Sequence, residues 1–193
     1  MSGINGLRHF RRIMGGIDPA PALKELAERP ELWELFTRRQ EYEGSAHRDT
    51  QAIVLRGPVN GLERVMDDVE YQDLPLLYEL PCLFDLLCRA AAVAQAREVG
   101  RLMVVRMRQG GHVTPHRDEG GYARYFARFH LVLSSSSDCW FHAGGERVNM
   151  APGELWWFNH QVEHEVRNGG PERIHVIMDA TAPGYTGALG IPA

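Results

Sequence analysis

The spacing of apolar residues divides the chain into a helical first half and a strand-rich second half. In residues 21–40, leucines and Phe36 recur at intervals of three or four, which predicts helix, and Pro30 marks the start of a second helix. Residues 81–97 predict a further helix because their leucines and alanines form one broad apolar face. Between these helices, residues 51–56 predict a strand that ends at the Gly57-Pro58 turn.

After residue 100 the pattern changes to short apolar segments, each closed by turn residues. Eight strands are predicted, at residues 102–107, 112–116, 127–133, 139–142, 147–150, 154–158, 164–168 and 173–179. Strands of this length and spacing are typical of a jelly roll or a related barrel. In the sixth strand, Trp156, Trp157 and Phe158 are expected to alternate between core and surface. Because the helices precede the strands instead of alternating with them, the order predicts an α+β protein.

Composition, charge and cysteine count exclude several classes of protein. The chain has 193 residues, of which 44% are hydrophobic and 24% charged, and a net charge of -4. These values predict a globular protein with no general attraction for nucleic acid or an anionic membrane. The three cysteines are odd in number and lack zinc-ligand spacing, so we expect reduced thiols and a cytoplasmic protein. Asp85 and Arg89 interrupt the longest apolar stretch, and we expect neither a signal peptide nor a membrane span.

The candidate chemistry begins with His116 and Asp118, near the end of the second predicted strand. Residues two apart on a strand point to the same side, so this imidazole and this carboxylate can bind one metal ion. His164 begins the seventh predicted strand and can supply a third ligand if the barrel brings the two strands together. Two histidines and one carboxylate leave three metal positions open, which suits non-haem Fe(II) and oxygen chemistry. His160 competes with His164 for the third place, and we favour His164.

Four segments of the second half resemble a known family. Arg173, nine residues after His164, opens the eighth predicted strand and offers a guanidinium that can bind a carboxylate bidentately. With this residue, the chain resembles the aspartyl/asparaginyl β-hydroxylase branch of the Fe(II)/2-oxoglutarate oxygenases. The segments are His112-Val113-Thr114-Pro115-His116, Arg128-Phe129-His130-Leu131, His164-Glu165-Val166-Arg167-Asn168 and Arg173.

This resemblance implies a double-stranded β-helix, cupin-like in form, with the N-terminal helices packed against it. We expect a single oxygenase domain over residues 1–193. Residues 1–100 are expected to be mainly helical support with one or two strands, residues 101–180 the double-stranded β-helix, and residues 181–193 a C-terminal tail.

The resemblance also implies roles for particular residues. Iron is expected on His116 and His164, and Arg173 is expected to bind the 5-carboxylate of 2-oxoglutarate. Arg128 and His130 are expected to face the site and to bind carboxylate groups of the co-substrate or the substrate.

Two positions depart from the family's pattern. In the β-hydroxylases proper, the iron site resembles one with two histidine ligands, and a glycine stands where this chain has Asp118. The iron here is therefore expected to have three protein ligands. Halogenating relatives replace this carboxylate so that chloride can bind iron, and its presence therefore favours hydroxylation. The serine that assists the family's arginine is replaced here by Val105, and Thr114 or Tyr122 is a candidate substitute.

The function that the resemblance implies is that of a 2-oxoglutarate-dependent dioxygenase using Fe(II), 2-oxoglutarate and O2, with ascorbate as a supporting reductant. The expected reaction is hydroxylation of a carboxylate-bearing small molecule or of an Asp/Asn-type residue in a peptide. His47, Arg48 and Arg56 are candidate substrate-binding residues. The alternative is a cupin-like metal enzyme or a metal-containing binding module that does not use 2-oxoglutarate. An Arg173 pointing away from the metal would favour that alternative.

Overall fold

Eleven strands and four α-helices make up the part of the chain that the computed structural model describes, which is residues 6–41, 43–61 and 70–185. The helices are α1 (Ala20–Ala27), α2 (Arg38–Glu41), α3 (Pro81–Ala94) and α4 (Gly120–Tyr125), with 3₁₀ turns at Pro30–Glu34 and Pro75–Glu79. The strands are β1 (Phe10–Met14), β2 (Thr50–Pro58), β3 (Tyr71–Asp73), β4 (Glu98–Met107), β5 (His112–His116), β6 (Ala127–Ser134), β7 (Cys139–Ala143), β8 (Glu146–Val148), β9 (Leu155–Phe158), β10 (His164–Asn168) and β11 (Arg173–Thr181).

The strands form two antiparallel sheets that face each other. The larger has the order β1-β9-β6-β11-β4-β2-β3, and the smaller has the order β5-β10-β7-β8. One apolar cluster joins them, with Val132 and Phe158 from the larger sheet and Phe141 and Val166 from the smaller. Two facing antiparallel sheets of this kind form a jelly roll, so the predicted α+β fold with a double-stranded β-helix is confirmed.

Strand β6 shows how the larger sheet uses its two faces. Phe129, Leu131 and Leu133 point outward and belong to the apolar cluster that also contains residues of α1 and α3. The alternate residues Arg128 and His130 point to the opposite face, between the sheets. The outer face therefore holds the helices, and the inner face is where the polar side chains of the central strands meet.

All eight strands predicted after residue 100 are present. β5 and β10 have the predicted bounds, whereas β4 begins four residues early, at Glu98. Residues 1–100 contribute β1, β2 and β3 to the larger sheet, three strands where one or two were expected. β2 also continues through the expected turn, because Gly57 and Pro58 stay in register with Gln72 and Tyr71 of β3.

The helices of the first half are shorter than the apolar pattern predicts. The helix expected from Pro30 is a 3₁₀ turn that ends at Glu34. The helix expected over residues 81–97 ends at Ala94, because Gln95 adopts a left-handed φ of 55°. Within the described ranges, no helix combines the length and the apolar character that crossing a bilayer requires.

Helix α4 is absent from the predicted elements because Gly120-Gly121 reads as a turn. It docks against β4 at Gly100, where an added Cβ would lie 2.7 Å from the hydroxyl of Tyr122 and 2.9 Å from the ring of Phe126. The lack of a side chain at Gly100 thus permits the close approach that α4 makes.

Replacement of Phe129 by alanine tests the packing between the larger sheet and the helices. Phe129 has no exposed surface, and removal of a phenylalanine from such a site costs about 3–5 kcal/mol. We expect a loss of that size in the free energy of unfolding measured with urea. The control Val59→Ala, at a side chain that is 46% exposed, should change it by less than about 0.5 kcal/mol. Equal, small losses in the two variants would contradict the placement of Phe129.

Candidate metal centre

The two histidines of the candidate centre lie opposite each other on neighbouring strands. His116 ends β5, His164 begins β10, and the two are direct partners in the antiparallel pairing. Directly opposed residues point to the same face of a sheet, and the two ring centroids are 4.2 Å apart. The pairing of β5 with β10 therefore brings together two imidazoles that are far apart in the sequence.

Backbone carbonyls fix the orientation of both imidazoles. Nδ1 of His116 donates to the carbonyl of Thr114 at 2.8 Å, and Nδ1 of His164 donates to that of Val162 at 3.0 Å. Because a carbonyl only accepts, the hydrogen is on Nδ1 and the lone pair is on Nε2. Nε2 of His116 is buried and makes no hydrogen bond within the described part of the chain. Burial lowers the pKa of His164 to about 4, which keeps this ring neutral at pH 7.

Asp118 lies in the loop after β5 and not on the strand itself. Its N–H donates to the carbonyl of His160 at 3.0 Å, which ties this loop to the segment before β10. Its Oδ1 is 3.8 Å from Nε2 of His116, and the ligand atoms of His116, Asp118 and His164 all lie within 4.8 Å of one another. Two imidazoles and a carboxylate are a donor set that suits Fe(II), so these residues could hold that metal.

The charge of Asp118 is set by its neighbours. Burial alone would raise the pKa of the Asp118 carboxyl. The positive guanidinium of Arg128 and the adjacent His160 more than offset this effect, and the pKa lies well below its ordinary value. Arg128 Nη1 contacts Oδ2 of Asp118 directly. The carboxylate is therefore ionised, and Arg128 holds one of its oxygens while the other faces His116.

A buried ion network extends from this pair into the larger sheet. Arg128 donates to both oxygens of Asp179, from Nε at 2.7 Å and from Nη2 at 3.0 Å. Arg101 and the Tyr122 hydroxyl each contact Oδ2 of the same carboxylate at 3.1 Å. Burial raises the pKa of Asp179, but Arg128 and Arg101 more than offset this and hold it at about 2. Arg128 was expected to bind carboxylates of co-substrate or substrate, and it instead pairs with two carboxylates of the protein.

A cavity of about 550 Å³ opens beside the three candidate ligands, and Arg173 lines it with them. Arg173 is 4% exposed. Over the described ranges its single hydrogen bond is to Nδ1 of His175, at 2.8 Å, and no carboxylate lies within ion-pair distance. Burial lowers its pKa to about 10, so it remains a cation at pH 7. A buried cation that has no carboxylate partner is costly, and the cavity therefore favours an anionic ligand at this position.

His175 occupies the place expected for a hydroxyl. Thr114 is exposed, and the Tyr122 hydroxyl is already bonded to Asp179. His175 instead lies directly opposite Val105 in the pairing of β11 with β4 and accepts the hydrogen bond from Arg173. Neither of the two expected hydroxyls is therefore placed to assist Arg173.

His130 lines the cavity, as expected, and is 4% exposed. Its Nδ1 is 3.3 Å from Nδ1 of His175, and its Nε2 is buried and lacks a hydrogen-bond partner among the described residues. Because the lone pair on His175 Nδ1 accepts from Arg173, His130 must donate from Nδ1. Its role in binding a carboxylate stays a prediction.

His160, the competing ligand, lies beside the group of three but outside it. Its Nε2 donates to the carbonyl of Ala123 at 2.9 Å, and its Nδ1 is 4.0 Å from Asp118 Oδ2. His112 is engaged elsewhere, because its Nε2 bonds to Glu165 at 2.8 Å. The geometry thus groups His164, and not His160 or His112, with the other two candidate ligands.

Of the three candidate substrate residues, His47 alone lines the cavity. Its ring centroid is 4.7 Å from that of His116, and its buried Nδ1 lacks a hydrogen-bond partner among residues that the structure describes. Arg48 is exposed and faces a separate depression beside Asp49. Only His47 is therefore placed to meet a ligand of the cavity.

Arg56 has a structural position, contrary to the expectation of a substrate contact. Its guanidinium pairs with Asp73 and donates to the carbonyls of Tyr71 at 2.7 Å and of Val99 at 2.9 Å. All of these partners lie on β3 and β4, so Arg56 joins the strands on either side of β2. Its donors are used by the sheet, which leaves it outside the cavity.

Sequence reasoning missed Asp179, His175 and Arg39. The first two carried a signal: with Arg173 they are the polar residues at alternate positions of an otherwise apolar strand, which places them on one face. Arg39 carried none, because the Arg38-Arg39 pair reads as the solvated face of a helix.

A double-stranded β-helix in which two histidines and a carboxylate share a cavity with a buried arginine is typical of the class of Fe(II)/2-oxoglutarate oxygenases. Within this class, the aspartyl/asparaginyl β-hydroxylase family model matches residues 70–183, more than half of the chain, and the protein belongs to that family. It is a 2-oxoglutarate-dependent dioxygenase that uses Fe(II), 2-oxoglutarate and O2.

Solved structures share the fold at low sequence identity. An oxidoreductase of the 2OG-Fe(II) oxygenase family from Burkholderia pseudomallei is 16% identical, with a TM-score of 0.55 over 93% of this chain and 92% of that one. A prolyl hydroxylase from Trichoplax adhaerens, in complex with a hypoxia inducible factor peptide fragment, is 13% identical, with a TM-score of 0.54 over 91% and 84%. The epimerase SnoN from nogalamycin biosynthesis is 13% identical, with a TM-score of 0.55 over 92% and 79%.

Alanine substitutions test which histidines bind the metal. We expect His116→Ala, Asp118→Ala and His164→Ala to lose nearly all iron, because each removes one of three converging donors. His160→Ala and His112→Ala should keep it, because their ring nitrogens lie outside the group. Iron content after anaerobic reconstitution decides the question. Loss of iron in His160→Ala with retention in His164→Ala would contradict the grouping.

Asp179→Asn tests the buried network. Removal of this charge leaves Arg101 and Arg128 without their shared carboxylate, and breaking a buried ion pair in this way costs about 3–5 kcal/mol. We expect a loss of that size in denaturant unfolding of the metal-free protein, together with weaker iron binding because Asp118 is no longer held in place. The control Asp138→Asn, at an exposed side chain, should cost less than about 0.5 kcal/mol. Identical stabilities of the two variants would show that the network does not organise the site.

Proposed function

We propose that His116, Asp118 and His164 hold Fe(II), that Arg173 binds the distal carboxylate of 2-oxoglutarate, and that the protein hydroxylates a carboxylate-bearing small molecule or an Asp/Asn-type residue of a peptide. The observation that carries this proposal is the position of Arg173. It is a buried cation in the same cavity as the three candidate ligands, and in the described structure it has no carboxylate partner.

The same observation argues against the alternative of a cupin-like enzyme or binding module without 2-oxoglutarate. An Arg173 that pointed away from the metal would favour that alternative, but the guanidinium lines the cavity. A dicarboxylate with a 2-keto acid at one end can chelate the metal and still present its other carboxylate to this arginine. Family membership supports the same co-substrate.

Fe(II), when bound with 2-oxoglutarate and O2, would supply the oxidising chemistry that inserts one oxygen atom into a C–H bond and uses the other to convert 2-oxoglutarate to succinate and CO2. Three protein ligands leave three positions for these two molecules. We propose ascorbate as a supporting reductant.

The chain's own residues position and surround the reactants. His175 accepts a hydrogen bond from Arg173 and so orients the guanidinium towards the cavity. Arg128 keeps Asp118 ionised and fixes its orientation. Phe141, Phe158 and other apolar side chains of the inner faces line the cavity and give it an apolar surface beside the candidate ligands.

Arg173→Ala tests the assignment of the co-substrate site. The substitution leaves the distal carboxylate without its cation and should weaken 2-oxoglutarate binding by about 2–5 kcal/mol. Affinity is measured anaerobically from the visible charge-transfer band of the Fe(II)–2-oxoglutarate chelate. Iron content should not change, and 2-oxobutanoate, which lacks the distal carboxylate, should bind the variant better than the wild type, because no buried arginine is left unsatisfied.

Arg167→Ala is the matched control, since this side chain lies on β10 and is 62% exposed. It should bind 2-oxoglutarate as the wild type does. Wild-type affinity and succinate formation in Arg173→Ala would overturn the assignment of Arg173.

A further inference from the structure

We propose that Arg39 forms a second anion site in the cavity, which binds the carboxylate of the substrate, and that this substrate is a small carboxylic acid with an apolar carbon skeleton. The inference rests on the proposed function and narrows its substrate class. It follows from the contacts of Arg39, from its separation from Arg173, and from the residues that lie between it and the candidate metal ligands.

Arg39 is a cation whose donors are poorly satisfied. It lines the cavity, and within the described ranges its side chain makes one polar contact, from Nη1 to Sδ of Met103 at 2.8 Å. A thioether is a weak acceptor, and no carboxylate of the described residues lies within ion-pair distance of the guanidinium. Burial lowers the pKa of Arg39 to about 9, and Arg101 and Arg128 contribute to this, but the group is still charged at pH 7. An anionic ligand would supply the missing partner.

The charge of the cavity wall also favours an anionic ligand in addition to 2-oxoglutarate. Six arginines and one carboxylate, that of Asp118, are among the described residues that line it. Arg101 and Arg128 are compensated by Asp179 and Asp118. One 2-oxoglutarate at Arg173 therefore leaves positive charge on the wall, and although Arg38 and Arg117 are exposed to solvent, this charge favours a second anion.

Arg39 and Arg173 meet the larger sheet at different positions along β4. Arg39 contacts Met103, whereas Arg173 is the direct partner of Met107 in the pairing of β11 with β4. Met103 and Met107 lie on the same face of β4, four residues apart, which is about 13 Å along a strand. We therefore assign Arg39 to a molecule other than the co-substrate held by Arg173.

His47 connects the Arg39 site to the candidate metal ligands. Ser45 joins the two residues, because its Oγ donates to the carbonyl of Arg39 at 2.6 Å and accepts from the N–H of His47 at 3.2 Å, and both side chains line the cavity. On its other side, the His47 ring stands 4.7 Å from the ring of His116. A ligand anchored at Arg39 can thus pass His47 and present a C–H bond to the metal.

On the side of Met103, the wall next to Arg39 is apolar. Phe36 packs against Met103, Val105 and Ile177 of the larger sheet, and all four side chains line the cavity. These surfaces suit a hydrocarbon skeleton and offer no partners for the amides of a peptide backbone. The site therefore favours an apolar acid over a peptidyl Asp or Asn.

The test measures binding of three probes to the full chain loaded with Zn(II) and saturating 2-oxoglutarate, by ligand-observed saturation-transfer NMR. The probes are hexanoate, its neutral analogue hexanamide, and N-acetylaspartate N-methylamide as a mimic of a peptide residue. Hexanoate is expected to bind about ten- to a hundredfold more tightly than hexanamide, the range that a charge-assisted hydrogen bond gives. It is also expected to bind more tightly than the peptide mimic.

Arg39→Gln should remove the preference for the acid, whereas the control Arg48→Gln, at an exposed arginine outside the cavity, should keep it. Equal binding of acid and amide, binding of no probe, or a preference that survives in Arg39→Gln would overturn the Arg39 site. Tighter binding of the peptide mimic than of hexanoate would overturn the apolar substrate class.

The Fe(II)–2-oxoglutarate charge-transfer band, recorded in parallel, separates this inference from the proposed function. A band without a preference for the acid would overturn the Arg39 site alone. A preference for the acid without a band would overturn the proposed function and the substrate role, and would leave Arg39 as an anion site alone; loss of both would overturn both.

Discussion

The ion network around Asp179 is the interaction on which the polar interior depends. This carboxylate has no exposed surface and takes hydrogen bonds or ion pairs from β4, β6 and α4, through Arg101, Arg128 and Tyr122. A buried carboxylate is tolerated only when cations and donors compensate it. The same network extends to the candidate metal centre, because Arg128 also pairs with Asp118. The larger sheet thus orients the carboxylate of the candidate centre, while the smaller sheet contributes both of its histidines.

The strands could be predicted from the sequence, but the roles of their faces could not. Glycine and proline turns mark the strand ends, so β5 and β10 were predicted with their observed bounds. Trp156, Trp157 and Phe158 were expected to alternate between core and surface, yet all three are buried. β9 packs towards the helices on one face and towards the smaller sheet on the other, and a strand covered on both faces loses the alternation on which such predictions depend. Helix α4 escaped prediction because its docking depends on the tertiary contact at Gly100.

The residues of the candidate site could likewise be predicted only in part from the sequence. His116, Asp118, His164 and Arg173 have local spacings that a sequence can reveal, and the structure places all four around one cavity. The partners of these residues come from other strands and helices, so no local pattern marks them. Arg128 shows the limit most clearly: its position facing the cavity followed from the family resemblance, but its engagement with Asp179 depends on the pairing of β6 with β11.

Arg128 also changes how position 118 is to be understood. Its Nε and Nη2 are used by Asp179 and its Nη1 by Asp118, so each of these three nitrogens has a carboxylate partner supplied by the protein. A chain with glycine at 118 would lose one of the three proposed metal ligands and would at the same time leave a guanidinium nitrogen of Arg128 without its carboxylate partner. Under this proposal, position 118 controls two properties together: the number of protein ligands to the metal, and whether the wall beside it can bind a free anion. A single substitution at this position would therefore exchange a carboxylate that belongs to the protein for a site that can bind an external anion.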